Sequence, residues 1–199
     1  RTFMILTELT AVPDVALPLA GFREHLRLGQ GFADDGSENG LALVYLRAAM
    51  AAIEARISKV LLARDFLWQL ADWREPDMQP LPVAPVSALA ELRLRGADGV
   101  AVVVEPARYA LVEDALRPVL RATGTALPVV PRGGRAEVEF TAGYAADWEG
   151  LPHDLRQAVL LLAAEYFENR REAGTGAMPF GVMALIEHYR TVRVLGSAR

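Results

Sequence analysis

Apolar residues recur at three- and four-residue steps in two stretches near the start of the chain. The first stretch runs from Val15 to Leu28 and carries Pro18 in its first turn, where proline is tolerated. The second begins at Ser37, a residue type favoured at helix N-caps, and continues to about Ser58. The pattern therefore predicts two amphipathic helices before residue 60.

Alanine occupies most of one side of the second predicted helix. Because alanine has little bulk, we expect a neighbouring helix to approach this side closely. The alanines are Ala48, Ala51, Ala52 and Ala55. The larger apolar contacts of the helix are expected from Leu41, Val44, Tyr45 and Ile53.

After Lys59 the spacing of apolar residues changes to a two-residue alternation. Large apolar side chains occupy alternate positions from Phe66 to Leu70, which is typical of a half-buried strand. The dipeptide Asp98-Gly99 lies between two apolar runs and predicts a hairpin turn. Four prolines between residues 76 and 85 favour an extended edge or a loop. Further short strands are expected at 88–95, 100–104, 109–112, 119–121 and 136–141.

Helical spacing returns at Pro152, a residue suited to the first helical position, with Asp154 near the positive end of the helix dipole. The apolar stripe of this helix consists of Leu155, Val159, Leu162 and Tyr166. A glycine-rich link at residues 174–176 precedes a final predicted helix from about Phe180 to Thr191. Residues 192–199 are expected to form a short tail.

The predicted elements define an α+β fold, in which a bundle of about four helices carries an inserted subdomain of short antiparallel β-strands. Residues 1–60 are expected to form the N-terminal helices, and residues 61–145 the β-strand insertion. Residues 146–199 are expected to form the C-terminal helices and the tail. The three segments are expected to form one folded unit.

Composition narrows the class of protein further. Of the 199 residues, 52% are hydrophobic and 23% are charged, which excludes a disordered chain. The net charge of −4 argues against a general nucleic-acid binder, and no apolar run is long enough to span a membrane. No secretory signal is visible, and the lack of cysteine fits assembly in the cytoplasm. The mean hydropathy of +0.19 indicates that some apolar surface serves partner proteins.

The chain offers little material for catalysis or metal binding. It has no cysteine, which excludes disulfides and thiolate metal sites, and its three histidines lie far apart in sequence. The acidic run Asp34-Asp35 lacks the ligand spacing of a calcium loop. No cofactor and no metal are therefore expected. The one pair suited to acid–base work is His153-Asp154, although Asp154 is already explained by the helix start.

The block from Leu151 to Glu172 resembles the head-to-tail connector, or adaptor, proteins of long-tailed phages; it begins LPHDLRQAVLLL and ends YFENRRE. Residues 140–144 (FTAGY) resemble the strand and turn before that block, and residues 179–190 resemble the last helix of the family. Residues 82–87 and Asp98-Gly99 fit the β insertion that one branch carries. The resemblance covers almost the whole chain.

The N-terminal part narrows this resemblance to one branch. Residues 6–9 (LTEL) and 31–35 (GFADD) are similar to the adaptors of gene transfer agents, the phage-like particles of alphaproteobacteria. Each of these motifs is a packing or turn pattern and none is a catalytic signature. The specificity of the resemblance therefore lies in the order of the motifs along the chain.

The resemblance implies a non-enzymatic structural protein in the neck of a virion or phage-like particle assembled in the bacterial cytoplasm. About twelve copies would form a ring on the portal protein, with a stopper or tail-completion protein below. DNA would pass through the ring without specific binding. The candidate portal-binding residues are Phe180, Ile186, Tyr189, Arg190, Val192, Arg193 and Leu195. The candidate residues for subunit or stopper contacts are Phe32, Asp34, Asp35 and Trp73.

Two alternatives remain open at the level of sequence. One is a soluble α+β ligand-binding or hydrolytic domain that acts through His153 and Asp154. The other keeps the protein in the particle as a different ring-forming neck or tail completion protein.

Overall fold

The computed structural model describes residues 3–26, 37–169 and 178–190. The helices within these residues are α1 (Leu19–His25), α2 (Ser37–Ile57), α3 (His153–Glu168) and α4 (Phe180–Ile186). The strands are β1 (Met4–Glu8), β2 (Arg64–Leu70), β3 (Met78–Pro80), β4 (Val86–Arg95), β5 (Ala101–Val103), β6 (Tyr109–Val112), β7 (Val119–Ala122) and β8 (Arg135–Ala142). Short 3₁₀ turns lie at Asp14–Ala16, Pro106–Arg108 and Glu187–Tyr189. This content confirms the predicted α+β class.

The described residues divide into two compact units. Those within 1–12 and 62–146 form one unit, called here the β unit. Those within 13–61 and 147–199 form the other, called here the helical unit. Both units therefore combine segments that are distant in sequence.

The β unit contains a five-stranded sheet and a three-stranded sheet, both antiparallel. The order of strands is β1-β2-β8-β4-β5 in the larger sheet and β3-β7-β6 in the smaller one. Strand β8 lies in the middle of the larger sheet although it is the last of the described strands in sequence. The proline-rich segment supplies the edge strand β3, as expected for a strand that ends in proline.

One face of the inner strands β2 and β8 is buried, and the two-residue alternation predicts this for β2. In β2, Phe66, Trp68 and Leu70 are buried, and the register places them beside residues 140, 138 and 136 of β8. The rings of Phe66 and Phe140 stack with centroids 5.7 Å apart. Such cross-strand pairs stabilise a sheet because neighbouring side chains share one apolar layer.

Gly143 lets the chain turn tightly at the end of β8. Its φ is +149°, a conformation that side chains with a Cβ rarely adopt, and a Cβ there would collide with the backbone of Ala63. Its N–H donates a 3.0 Å hydrogen bond to the carbonyl of Pro85. A glycine at this position therefore permits the close approach of two backbone segments.

The helical unit is held by apolar contacts among α1, α2 and α3. The ring of Phe167 meets the rings of Phe22 and Tyr45 edge-to-face, with centroids 6.5 Å and 5.9 Å apart. The fully buried side chains of α2 and α3 include Leu46, Ile53, Leu155 and Val159. Helix α4 adds Val182 and Ile186 to this core.

Three predictions about the helices need correction. Helix α1 begins at Leu19 rather than Val15, because Pro18 is its N-cap, and Val15 lies in a 3₁₀ turn with its side chain 93% exposed. The alanine-rich side of α2 is exposed at Ala48, Ala51 and Ala55, so no helix of the described residues packs there. The last helix ends at Ile186 and continues only as a 3₁₀ turn.

Strand β1 was not predicted from the sequence. Its residues pair antiparallel with β2, from Met4 opposite Leu70 to Glu8 opposite Phe66. The expected division, with residues 1–60 forming N-terminal helices, therefore differs from the structure, because the first described residues belong to the β unit. All five residues of β1 are exposed, so the strand lacks the alternating burial that marks β2.

Candidate interaction surfaces

The 3₁₀ turn after α4 is anchored to the first turn of α3. The hydroxyl of Tyr189 donates a 2.8 Å hydrogen bond to Oδ1 of Asp154. Nε2 of His188 lies 3.1 Å from Oδ2 of the same carboxylate. Arg190 pairs with Glu187 one turn away, at 2.9 Å. One carboxylate therefore fixes the segment that contains two of the candidate portal-binding residues.

Ile186 is one of the candidate portal-binding residues, and the structure corrects this assignment. Its side chain is fully buried in the helical unit. Docking through Ile186 would require α4 to leave its own core. The helical periodicity showed an apolar stripe on this helix but not which part of it packs inside the unit.

Phe180, unlike Ile186, is exposed to solvent. It begins α4 with its ring 88% exposed, whereas Val182, two residues later, is buried. Tyr189 and Arg190 are half-buried. Of the candidate portal-binding residues that the structure describes, Phe180, Tyr189 and Arg190 are thus accessible at least in part.

Of the remaining candidate contact residues, the structure describes only Trp73. Trp73 is half-buried, and its indole N–H donates a 2.7 Å hydrogen bond to the carbonyl of Pro128. This bond fixes the ring and leaves part of it accessible. The candidates outside the described residues are Phe32, Asp34, Asp35, Val192, Arg193 and Leu195.

The pair His153-Asp154 does not form a single acid–base unit. Asp154 is engaged by Tyr189 and His188, as described above. Nδ1 of His153 lies instead 2.6 Å from a guanidinium nitrogen of Arg156, one turn along α3. The two neighbours in sequence therefore have separate partners.

Two findings concern metal ions and membranes. Across residues 3–26, 37–169 and 178–190, no group of three acidic, histidine or cysteine side chains is placed to hold a metal ion. No described helix is both long and apolar enough to cross a lipid bilayer.

A buried carboxylate, Glu137, organises the polar face of the larger sheet. Its side chain is 2% exposed, and Arg95 binds both of its oxygens, at 2.8 Å and 3.0 Å. Arg135 and Gln69 donate further hydrogen bonds, at 2.8 Å and 3.1 Å. The hydrogen bond from Arg95 is the largest cause that lowers the pKa of Glu137, from 4.5 to about 2. The cluster ties β4 to β8.

Neither this cluster nor the exposed apolar side chains at the two outer strands of the larger sheet were predicted from the sequence. At β1 these include Met4 and Ile5, and at β5 they include Val102 and Val103. An apolar run that faces water gives no alternation with polar residues. The only signal in the sequence is an unusual concentration of apolar residues in segments too short to be helices.

Comparison with known proteins finds matches among solved structures. No family model and no curated protein matches the chain. Among solved structures, the neck of an empty gene transfer agent (GTA) particle, computed with C6 symmetry, contains a chain that is 56% identical to this one, with a TM-score of 0.89. The match covers 98% of this chain and 100% of the other.

Two further solved structures of GTA particles also contain similar chains. The virion of a native gene transfer agent (GTA) particle contains a chain that is 57% identical over 96% of this chain and 98% of its own length, with a TM-score of 0.86. The neck of a native GTA particle, computed with C12 symmetry, contains one that is 52% identical over 98% of this chain and 100% of its own, with a TM-score of 0.84. At this identity and coverage, the chain belongs to the head-to-tail adaptor family, on the branch of the gene transfer agents.

Proposed function

We propose that the chain is a structural head-to-tail adaptor that forms a ring in the neck of a gene transfer agent particle. The observation that carries this proposal is the identity of 52% to 57%, over almost the whole chain, with chains of GTA necks and of a GTA virion. Two of these structures were computed with C6 and C12 symmetry, which supports repeated copies around an axis. A ring of twelve copies, assembled in the bacterial cytoplasm, is compatible with both symmetries.

The ring lies between the portal protein and a stopper or tail-completion protein, and it surrounds the path of the DNA. The net charge of the chain supports a position around the path of the DNA. Each chain carries −4, so twelve copies carry about −48 before ions bind. Because this charge repels the phosphate backbone, DNA passes without adhering to the wall.

The contact with the portal is assigned to the end of the helical unit that carries α4. Phe180 presents an almost fully exposed ring, the type of side chain that dominates protein interfaces. Tyr189 and Arg190 follow in the turn that Asp154 anchors. Val192, Arg193 and Leu195 complete the assignment on the resemblance alone. Phe32, Asp34, Asp35 and Trp73 are assigned to the subunit or stopper contacts.

The role is structural and involves no catalysis and no cofactor. The similar chains are components of virion necks, where the required property is stable contact between proteins. The partners are other copies of the chain, the portal and the stopper, and no membrane takes part. The contacts of His153 and Asp154 fit this role because they anchor local structure.

The portal contact can be tested by light scattering of the purified chain, alone and mixed with purified portal protein. The wild-type chain should form a complex with about one chain per portal subunit. Phe180→Ala should weaken this association by about tenfold, since an exposed aromatic anchor contributes on the order of 1–2 kcal/mol. Val15→Ala is the matched control, because Val15 is 93% exposed and lies in the same unit outside the assigned surface.

The possible outcomes separate the alternatives. A chain that forms rings but never binds the portal belongs at another neck or tail position. A chain that stays monomeric and fails to bind the portal at any salt concentration overturns the adaptor assignment. If the Phe180→Ala and Val15→Ala variants bind the portal with equal affinity, the portal contact does not involve Phe180 of α4.

A further inference from the structure

The two outer strands of the five-stranded sheet both expose apolar side chains to solvent. On β1 and its flanks, Phe3 is 42%, Met4 62%, Ile5 44%, Leu6 38% and Leu9 46% exposed. This set is called here the β1 strip. Natural edge strands are usually protected by charges, proline or a covering element. Within β1 the only charged residue is Glu8, at its end.

Strand β5, at the opposite edge of the sheet, also exposes apolar side chains. On β5 and its flank, Val100 is 60%, Val102 63% and Val103 56% exposed. This set is called here the β5 strip. Among the described residues, no strand pairs with the outer side of β5 or of β1. Each strip is a group of large apolar side chains that the β unit itself leaves uncovered.

The two strips lie at opposite ends of one sheet. Four strand-to-strand steps separate β1 from β5, and each step is about 4.8 Å, so the strips are on the order of 19 Å apart. The strips also differ in sequence and in length. A cyclic ring needs two different surfaces on each subunit, because every copy contacts one neighbour on one side and another neighbour on the other.

We propose that the β5 strip of one copy packs against the β1 strip of the next copy in the ring. The inference rests on the proposed function, because it takes the second copy from the cyclic symmetry of the similar necks. Contact between the strips removes large apolar side chains from water on both partners, which favours association. It also explains why the two strips consist of apolar side chains.

The contact is made by side chains rather than by one continuous sheet around the ring. Neighbouring strands twist by about 20–25°, so β1 and β5 diverge strongly within one subunit. A twelve-fold ring turns each copy by only about 30° relative to the next. Strands β5 and β1 of adjacent copies therefore cross at a large angle, and the protruding side chains meet where they cross.

Crosslinking tests this proposal directly because the chain contains no cysteine of its own. The probe is a short bismaleimide, applied to particles from cells that produce Met4→Cys and Val102→Cys in one chain. Met4 and Val102 are the most exposed residues of their strips. The double variant should give a ladder of multimers on a denaturing gel, whereas either single variant should give monomers only. Val129→Cys combined with Met4→Cys is the control, since Val129 is exposed but outside both strips.

The outcomes distinguish the inference from the function on which it rests. If the wild-type chain is missing from purified particles by mass spectrometry, the proposed function fails. If the double cysteine variant is incorporated but gives no ladder, only the contact between the strips is wrong. Dimers from Met4→Cys alone would indicate a two-fold contact between β1 strips, and they too overturn the proposal.

If a cysteine variant fails to enter particles, a pair of substitutions that introduces opposite charges tests the same contact. Met4→Glu or Val102→Lys alone should reduce incorporation by about tenfold, because each places an unpaired charge in an apolar contact. The two substitutions in one chain should restore incorporation, since opposite charges then meet between neighbours. Circular dichroism establishes that each variant is folded. Incorporation of both single variants at the wild-type level would overturn the proposal.

Discussion

Glu137 is a buried carboxylate that stays ionised because of its neighbours. The hydrogen bond from Arg95 is the main cause of its lowered pKa of about 2, and burial acts in the opposite direction. The ionised form is stabilised in the folded state relative to the unfolded state, where the pKa is 4.5. The stabilisation is therefore complete above pH 4.5 and disappears as the pH falls towards 2. Its size is on the order of 3 kcal/mol.

The substitution Glu137→Gln should lower the free energy of unfolding at pH 7 by about 2–3 kcal/mol, because it leaves Arg95 and Arg135 without their shared carboxylate. Urea unfolding measures the loss. Glu139→Gln is the matched control on the same strand, and it should cost less than about 1 kcal/mol because Glu139 is 32% exposed. The difference between wild type and Glu137→Gln should shrink below about pH 4. An equal difference at about pH 6 and about pH 3 contradicts this account.

Single residues were predictable from the sequence where the local pattern decides their environment. The alternation from Phe66 to Leu70 correctly marked the buried face of β2. Glu137 was not predictable, because its partner Arg95 lies 42 positions away and meets it only through the register of β4 and β8. Ile186 was misassigned for a similar reason, since an apolar helical stripe does not show which neighbours cover it.

At the scale of elements, two glycines offer a matched pair of substitutions. Gly143→Ala should destabilise the protein by about 2 kcal/mol or more, because φ is positive there and the new Cβ would collide with Ala63. Gly40→Ala, in α2, should stabilise it by about 0.5–1 kcal/mol, because nothing lies within 4 Å of the new Cβ. Thermal unfolding followed by circular dichroism gives both values. A neutral result for Gly143→Ala would show that the turn after β8 can move apart.

The long elements were predictable and the short ones only in part. Helices α2 and α3 agree with the prediction because several turns of helical spacing are hard to produce by chance. Strand β1 escaped prediction because all its side chains are exposed, so its pattern shows no buried face. Helix α1 was extended too far towards the N-terminus because its apolar spacing begins at Val15, before the proline that caps the helix.

At the scale of the whole molecule, the fold class and the insertion of strands between helices followed from the order of the patterns. The assignment of the first residues to the β unit did not, because it depends on the pairing of β1 with β2, about 60 positions later. Likewise, the resemblance indicated a ring, but the surfaces that are exposed could not be located from the sequence. Exposure depends on how distant segments pack, and a local pattern does not contain that information.

The central place of β8 has a consequence for the synthesis of the protein. Strands β2 and β4 both pair with β8, which is the last of the described strands to leave the ribosome. Nascent chains stalled before β8 emerges should be cleaved by protease within β2 and β4, whereas chains in which residue 146 has emerged should be protected there. Protection of the shorter chains would show that these strands find other partners first.

Until β8 arrives, β2 and β4 offer unpaired backbone and apolar side chains to any other chain nearby. Nascent and newly released chains that lie close together are therefore exposed to mutual aggregation during this interval. Long-range pairing of this kind also slows folding. Translation of β8, the last of the described strands in sequence, thus ends this interval for the β unit, while α3 and α4 of the helical unit have still to emerge.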